Sequence, residues 1–332
     1  MNRALWLLLA GLIAALGIPL LLGGWGVFAQ LRGFPPGQLL LMFGVVLACW
    51  NLNALRLRLL LAGRAGRIGQ RHAAGIVAAT EFAVCVTPSG SGGPLTLLAL
   101  LAKAGLRPAQ ASGVFAADQL LDLLFFLSAL VGLALYVFTA AIELQIGWLI
   151  GPPMLLLLTG LAVFGLTLRN YAWLLRISGR WLRWFRLHRR TGFGLARRLL
   201  HFRNALLLTL QLPRRVLLLA FVLATANWLL RYSLLYLAIT GLGFEIDWAW
   251  AFLIQMLSML AGHLTFVPGG AGGTELTSTA LLIPLLGAET AAAAVLTWRF
   301  AAFYFPLLAG APIFMNMVGH SLIGFLKTRD PT

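Results

Sequence analysis

Acidic residues are scarce in this chain. Nine Asp and Glu stand against 25 Lys and Arg in 332 residues, and charged residues of both signs make up only 10%. A water-soluble domain carries about 25% charged residues, so a soluble globular protein is excluded. Disorder is excluded as well, because a hydrophobic content of 61% is far too much apolar surface to leave in water. Cysteine is nearly missing: Cys49 and Cys85 sit alone in apolar runs and read as small buried hydrophobes. The five histidines are scattered, and no H-E-x-x-H, G-x-S-x-G or Walker loop occurs. No catalytic residue, metal site or cofactor is therefore expected, and the chain is not read as an enzyme. His263, near a glycine-rich run, reads as a hydrogen-bonded core residue.

Apolar runs near twenty residues recur, with a mean hydropathy of +0.91. That is the length a helix needs to cross about 30 Å of hydrocarbon. The ten-residue alternation of an outer-membrane barrel is absent. The expectation is an all-α integral membrane protein. The run from Ala4 to about Gly24 is too long for a typical signal-peptide core and reads as a retained first span. Further spans are expected over about 38–61, 108–140, 147–168, 216–240 and 290–323, the last interrupted by Pro306 and Pro312. Two other stretches are each broken into halves too short to cross. One breaks at Thr87-Pro-Ser-Gly-Ser-Gly-Gly-Pro and the other at Pro268-Gly-Gly-Ala-Gly-Gly.

Charge orients the chain. Twelve basic and no acidic residues fall between Arg169 and Arg215. Cationic loops beside spans mark the cytoplasmic side. Arg3, the cluster from Arg56 to Arg71, the arginine-rich segment and the tail then lie inside, with both termini cytoplasmic. Glu143, Glu245, Asp247 and Glu289 lie outside. About six crossings satisfy this, with the two broken stretches as re-entrant hairpins entering from opposite faces. The whole chain, 1–332, reads as one polytopic membrane domain. Residues 38–140 form one unit and 216–324 an inverted second, joined by a basic linker over 169–215. In that linker Leu174, Ile177, Trp181 and Trp184 share one helical face and Arg176, Arg180 and Arg183 another, as in an interfacial helix. Nucleic-acid binding is not expected, since no binding motif accompanies the charge.

The two breaks agree at four of six positions. Glycine abundance alone, with 36 in the chain, is the plainer alternative. Inverted repeats with broken helices meeting near the midplane are a transporter architecture. A helix restarting after each loop presents free N–H groups and a positive dipole end, which suit an anion. Pro88, Ser89, Gly90, Gly92 and Gly93 form one candidate binding loop, and Pro268, Gly269, Gly270, Gly272 and Gly273 the other. Glu275 already complements the second dipole, so an anionic headgroup is expected at the first. Glu275 reads alternatively as a cap alone.

Charges inside spans cost about 2.5–3.5 kcal/mol each unless paired or wet. Glu81, Asp118, Asp122 and Arg231 are candidates for proton coupling or ion pairing. Arg231 is also expected to snorkel to the cytoplasmic surface. Arg299 is expected to pair with Glu275, Asp118 or Asp122 and to help bind substrate.

The motifs Thr87-Pro-Ser-Gly-Ser-Gly-Gly-Pro-Leu, Ala117-Asp-Gln-Leu-Leu-Asp-Leu, Val267-Pro-Gly-Gly-Ala-Gly-Gly-Thr-Glu and Thr297-Trp-Arg-Phe carry a resemblance. From about Asn51 to Met315 the chain resembles the lysylphosphatidylglycerol synthase transmembrane family, the flippase-like domain. The resemblance implies translocation of an anionic or aminoacylated phospholipid across the cytoplasmic (inner) membrane. It departs in the first unit, where Pro94 and Thr96 occupy the region in which the family usually carries an acid and an arginine, and where the acid–arginine pair near Asp118 is Asp118-Gln119. No synthase domain is recognised, so a separate lipid synthase is a possible partner. The rival readings are a membrane-embedded lipid or isoprenoid transferase, and a non-catalytic membrane partner of such a synthase.

Overall fold

The computed structural model describes residues 3–62, 68–139 and 206–327, with five single positions between 155 and 204. The expected span at 147–168 and the basic linker at 169–215 lie largely outside the described residues. Every element among those residues is helical, and the protein is an all-α multi-pass membrane protein. The helices are α1 (Arg3–Gly23), α2 (Gly26–Arg32), α3 (Pro36–Leu61), α4 (Gln70–Val86), α5 (Gly92–Lys103) and α6 (Pro108–Thr139). After the linker come α7 (Arg214–Tyr232), α8 (Leu234–Gly241), α9 (Trp248–Leu264), α10 (Gly273–Leu286), α11 (Ala288–Arg299) and α12 (Phe305–Lys327).

Four segments are long and apolar enough to cross: Pro36–Leu61, Pro108–Tyr136, Arg214–Gly241 and Ala288–Val318. The bent pair of α1 and α2, turned by 107° at Gly24, makes a fifth. The shorter α5, α9 and α10 are the half-length pieces expected from the broken stretches.

The chain divides into two compact units. In the smaller, residues 59–66 and 104–225, the described part is chiefly α6 with the end of α3 and the start of α7. The larger holds the two hairpins. Its core joins Trp50 of α3, Val77 of α4, Leu235 and Ile239 of α8, and Trp298 of α11. The alanines 291–294 are fully buried. That small-residue stripe lets α1, α2, α8 and α10 pack on α11, as membrane helices do without a hydrophobic drive between them.

Two breaks in long helices have identifiable causes. Between α7 and α8, the Gln255 side chain inserts into the helical ladder. Its Nε2 donates to the Arg231 carbonyl at 3.0 Å and its Oε1 accepts from the Leu235 N–H at 3.2 Å. A side chain placed between those groups bends a helix without orphaning them. Between α11 and α12, residues Phe300–Tyr304 form a π turn, with the Phe305 N–H reaching the Phe300 carbonyl. Pro306 has no N–H to return to residue 302, which favours the wider turn just before it. The interruption expected at Pro306 therefore sits one turn earlier, and Pro312 lies inside α12.

Candidate functional site

Each broken stretch is a helical hairpin closed by small residues. In the first, Gly92 packs against Thr87, just past the end of α4, and Gly93 against Val84 of α4. In the second, Gly262 of α9 lies against Gly270, and Gly273 against Thr265 and Ala261. The connecting loops share a backbone. Ser89 and Gly90 have φ of +49° and +70°, and Gly269 and Gly270 have +62° and +66°. Gly90 N–H donates to the Thr87 carbonyl at 3.1 Å, and Gly270 N–H to the Val267 carbonyl at 3.0 Å. Ser91 and Ala271 repeat the match one residue later, donating to the carbonyls of Pro88 and Pro268.

The loops meet. Pro88 and Pro268, at equivalent positions, pair as an isolated antiparallel bridge. Ser89 Oγ donates to the His263 carbonyl at 2.9 Å, so His263 contributes backbone at this junction. Its own ring nitrogen Nδ1 lies 2.7 Å from the Met259 carbonyl, one turn back, so the expected hydrogen bond is present, but the residue is exposed and not part of the core.

Charge separates the two loops. At Gly272 the N–H donates to Glu275 Oε2 at 2.6 Å. Glu275 Oε1 lies 2.5 Å from Arg299 Nε, with the two side chains 0% and 3% exposed. Arg299 also donates to the Gly269 carbonyl at 3.0 Å and stands 4.5 Å over the Phe303 ring. Of the three carboxylates proposed for it, Arg299 takes Glu275. The second loop is thus cross-braced: carboxylate to one end, guanidinium to the other, aromatic ring beneath. Glu275 does more than cap.

In the first loop the equivalent N–H, on Gly92, is capped by a neutral group. Thr87 Oγ1 accepts from it at 2.8 Å while donating to the Ala83 carbonyl at 2.6 Å. Gly93 N–H donates to the Gly90 carbonyl at 3.0 Å. The expected cradle of free glycine amides is therefore corrected. The amides of Gly90, Ser91, Gly92 and Gly93 all have partners within the hairpin, because so tight a turn satisfies its own donors. What the first loop retains is a helix dipole with no acidic side chain in its opening turn, since Leu95 stands where Glu275 stands in the second. Pro88 and Ser91 are exposed, whereas Pro268 and Ala271 are buried.

Glu81 and Arg231 form a bidentate pair, Nη1 to Oε1 and Nη2 to Oε2, both at 2.7 Å. Arg231 does not snorkel: its fork is held by a carboxylate on the helix leading into the first loop. Asp118 and Asp122 lie on α6 in the smaller unit; Asp122 is buried, and both have partners. Sequence reasoning missed Gln255 and Phe303. Neither carries a motif, and only the helix break and the π turn bring them into play. Among the described residues no cluster of His, Cys, Asp and Glu could hold a metal ion.

Comparison with known proteins places this architecture. An UPF0104 membrane protein of Archaeoglobus fulgidus is 22% identical over 282 residues, covering 82% of this chain and 84% of its own length. A family model described as the lysylphosphatidylglycerol synthase TM region matches residues 7–310, both hairpins included. The chain belongs to the lysylphosphatidylglycerol synthase transmembrane-region family.

Proposed function

We propose that the chain is a lipid flippase, moving the anionic or aminoacylated headgroup of a phospholipid across the inner membrane. The observation that carries this reading is the meeting of two half-length hairpins at Pro88 and Pro268. Irregular backbone at membrane depth is tolerated only when buried in protein or lining a wet cavity. Two such loops joined to each other divide those roles. The second is buried and charge-compensated; the first is more open and uncompensated. A headgroup phosphate passes beside the first loop while the acyl tails stay in lipid.

In this reading 38–140 and 216–324 are inverted halves, and antiparallel pairing of equivalent prolines suits a two-fold between them. Movement of one half against the other gives alternating access. Both termini are cytoplasmic, by the basic loops. The chain makes and breaks no covalent bond; an aminoacylated substrate comes from a separate lipid synthase. Glu81, Asp118 and Asp122 are the carboxylates available for proton coupling.

Purified protein in liposomes tests the proposal. With a fluorescent anionic lipid in both leaflets, a quencher added outside bleaches about half in empty vesicles. Protein-containing vesicles are expected to lose nearly all of the signal. A plateau equal to that of empty vesicles, for anionic and aminoacylated lipids alike, contradicts it.

A further inference from the structure

The bidentate Glu81–Arg231 pair differs from the Glu275–Arg299 pair in one respect that bears on function. Its side chains are 16% and 18% exposed, against 0% and 3%. A guanidinium presents the same two-pronged fork to a carboxylate and to a phosphate. The reach of Arg231 is fixed from behind. Its carbonyl is held by Gln255 of α9, the helix that leads into the second hairpin. Its fork is held by Glu81 of α4, which leads into the first. One residue thus ties both hairpins, by backbone to one and by charge to the other.

A second observation lies one turn earlier on the same face of α7. Asn227 is 2% exposed, and among the described residues its side-chain oxygen has no hydrogen-bond partner. A buried unsatisfied acceptor costs about 1–3 kcal/mol, and this one lies a single helical turn from Arg231, so a donor-bearing group at that level would satisfy it. Cys49 packs here too, its thiol donating to the Asn227 carbonyl at 3.5 Å.

We infer that Arg231 is the phosphate-binding cation of the translocation path and that Glu81 is its internal competitor. The lipid phosphate displaces the Glu81 carboxylate from the fork, and a hydroxyl or ammonium of the headgroup donates to Asn227. Displacement unties the first hairpin from α7 while Gln255 keeps the second attached, so occupancy of the site loosens one hairpin relative to the other. The inference rests on the flippase reading for its direction, but it concerns binding alone.

The two roles have opposite signs, which a merely structural pair would not show. Binding of short-chain phosphatidylglycerol, below its micelle concentration, is measured on detergent-purified protein, with inorganic phosphate as a separate arm. A competitor held in place most of the time lowers apparent affinity by the fraction of molecules left open. Glu81→Gln is therefore expected to tighten lipid binding about tenfold or more. Arg231→Gln is expected to weaken it at least tenfold, with Arg231→Lys between. Asn227→Leu should weaken the lipid and leave inorganic phosphate unchanged. If a neutral variant aggregates, Glu81→Asp, which keeps the charge but shortens the acid, must still tighten binding. Weakened or unchanged binding in the Glu81 variants overturns the inference, as does binding of inorganic phosphate without the lipid. Binding of the expected signs without transport in liposomes would keep this site and remove the flippase reading. Transport without those signs would do the reverse.

Discussion

Replacing Arg299 with Gln is expected to lower the unfolding free energy by about 3–5 kcal/mol, the usual result of stranding a buried charge. Glu275 is 0% exposed, and Arg299 is its ion partner. With the guanidinium gone, the carboxylate keeps only the Gly272 N–H. The Gly269 carbonyl loses its donor in the same stroke. Glu275→Gln should fall in the same range, because it strands the guanidinium instead. The double variant is expected to recover part of the loss, since two neutral amides leave no buried charge. Thermal and denaturant unfolding in detergent measure this. Single losses that add in the double variant would mean that the two side chains do not act as a pair.

Gly269→Ala is expected to be damaging, while Ser89→Gly at the equivalent position of the first loop is not. Gly269 has φ of +62°, and a Cβ there would collide with the Phe303 ring. Left-handed backbone costs an L-residue about 1–2 kcal/mol, and overpacking adds about 1–3 kcal/mol. Arg299 is aligned by the same ring, so the brace of the second loop is disturbed as well. Ser89 already bears φ of +49° with a side chain. Glycine relieves that strain but forfeits the 2.9 Å bond to the His263 carbonyl. A single hydrogen bond contributes about 0.5–1.5 kcal/mol net, so the two effects nearly cancel. Unfolding measurements on both variants should therefore diverge by about 2 kcal/mol or more. Equal losses would mean the two loops are not the same backbone with different fillings.

The hairpins were legible because proline and glycine punctuate apolar runs in a way no continuous span tolerates. The pairing of Arg299 with Glu275 was one of three options, and chain order could not choose among them. Glu81 and Arg231 are 150 residues apart, and each had a plausible life alone, one as a proton carrier and one at the membrane surface. Their union depends on tertiary placement, which periodicity does not encode. Gln255 was invisible for a related reason. A lone glutamine in an apolar helix signals a polar contact but not which backbone it will enter. Glycines after a helix break signal free amides but not their local acceptors: Thr87 bends back to cap one and the turn itself takes the others.

The meeting of the two loops is tested most directly by tethering them. Pro88→Cys and Pro268→Cys are introduced together with Cys49→Ala and Cys85→Ala. Residues paired across an antiparallel bridge have Cα atoms about 4.5–5.5 Å apart, within the roughly 4.4–6.8 Å that a disulfide spans. Oxidation is expected to link the loops within one chain, to stop headgroup translocation in liposomes, and to be reversed by reductant. No cross-link under oxidant, or full translocation with the cross-link in place, would contradict the account.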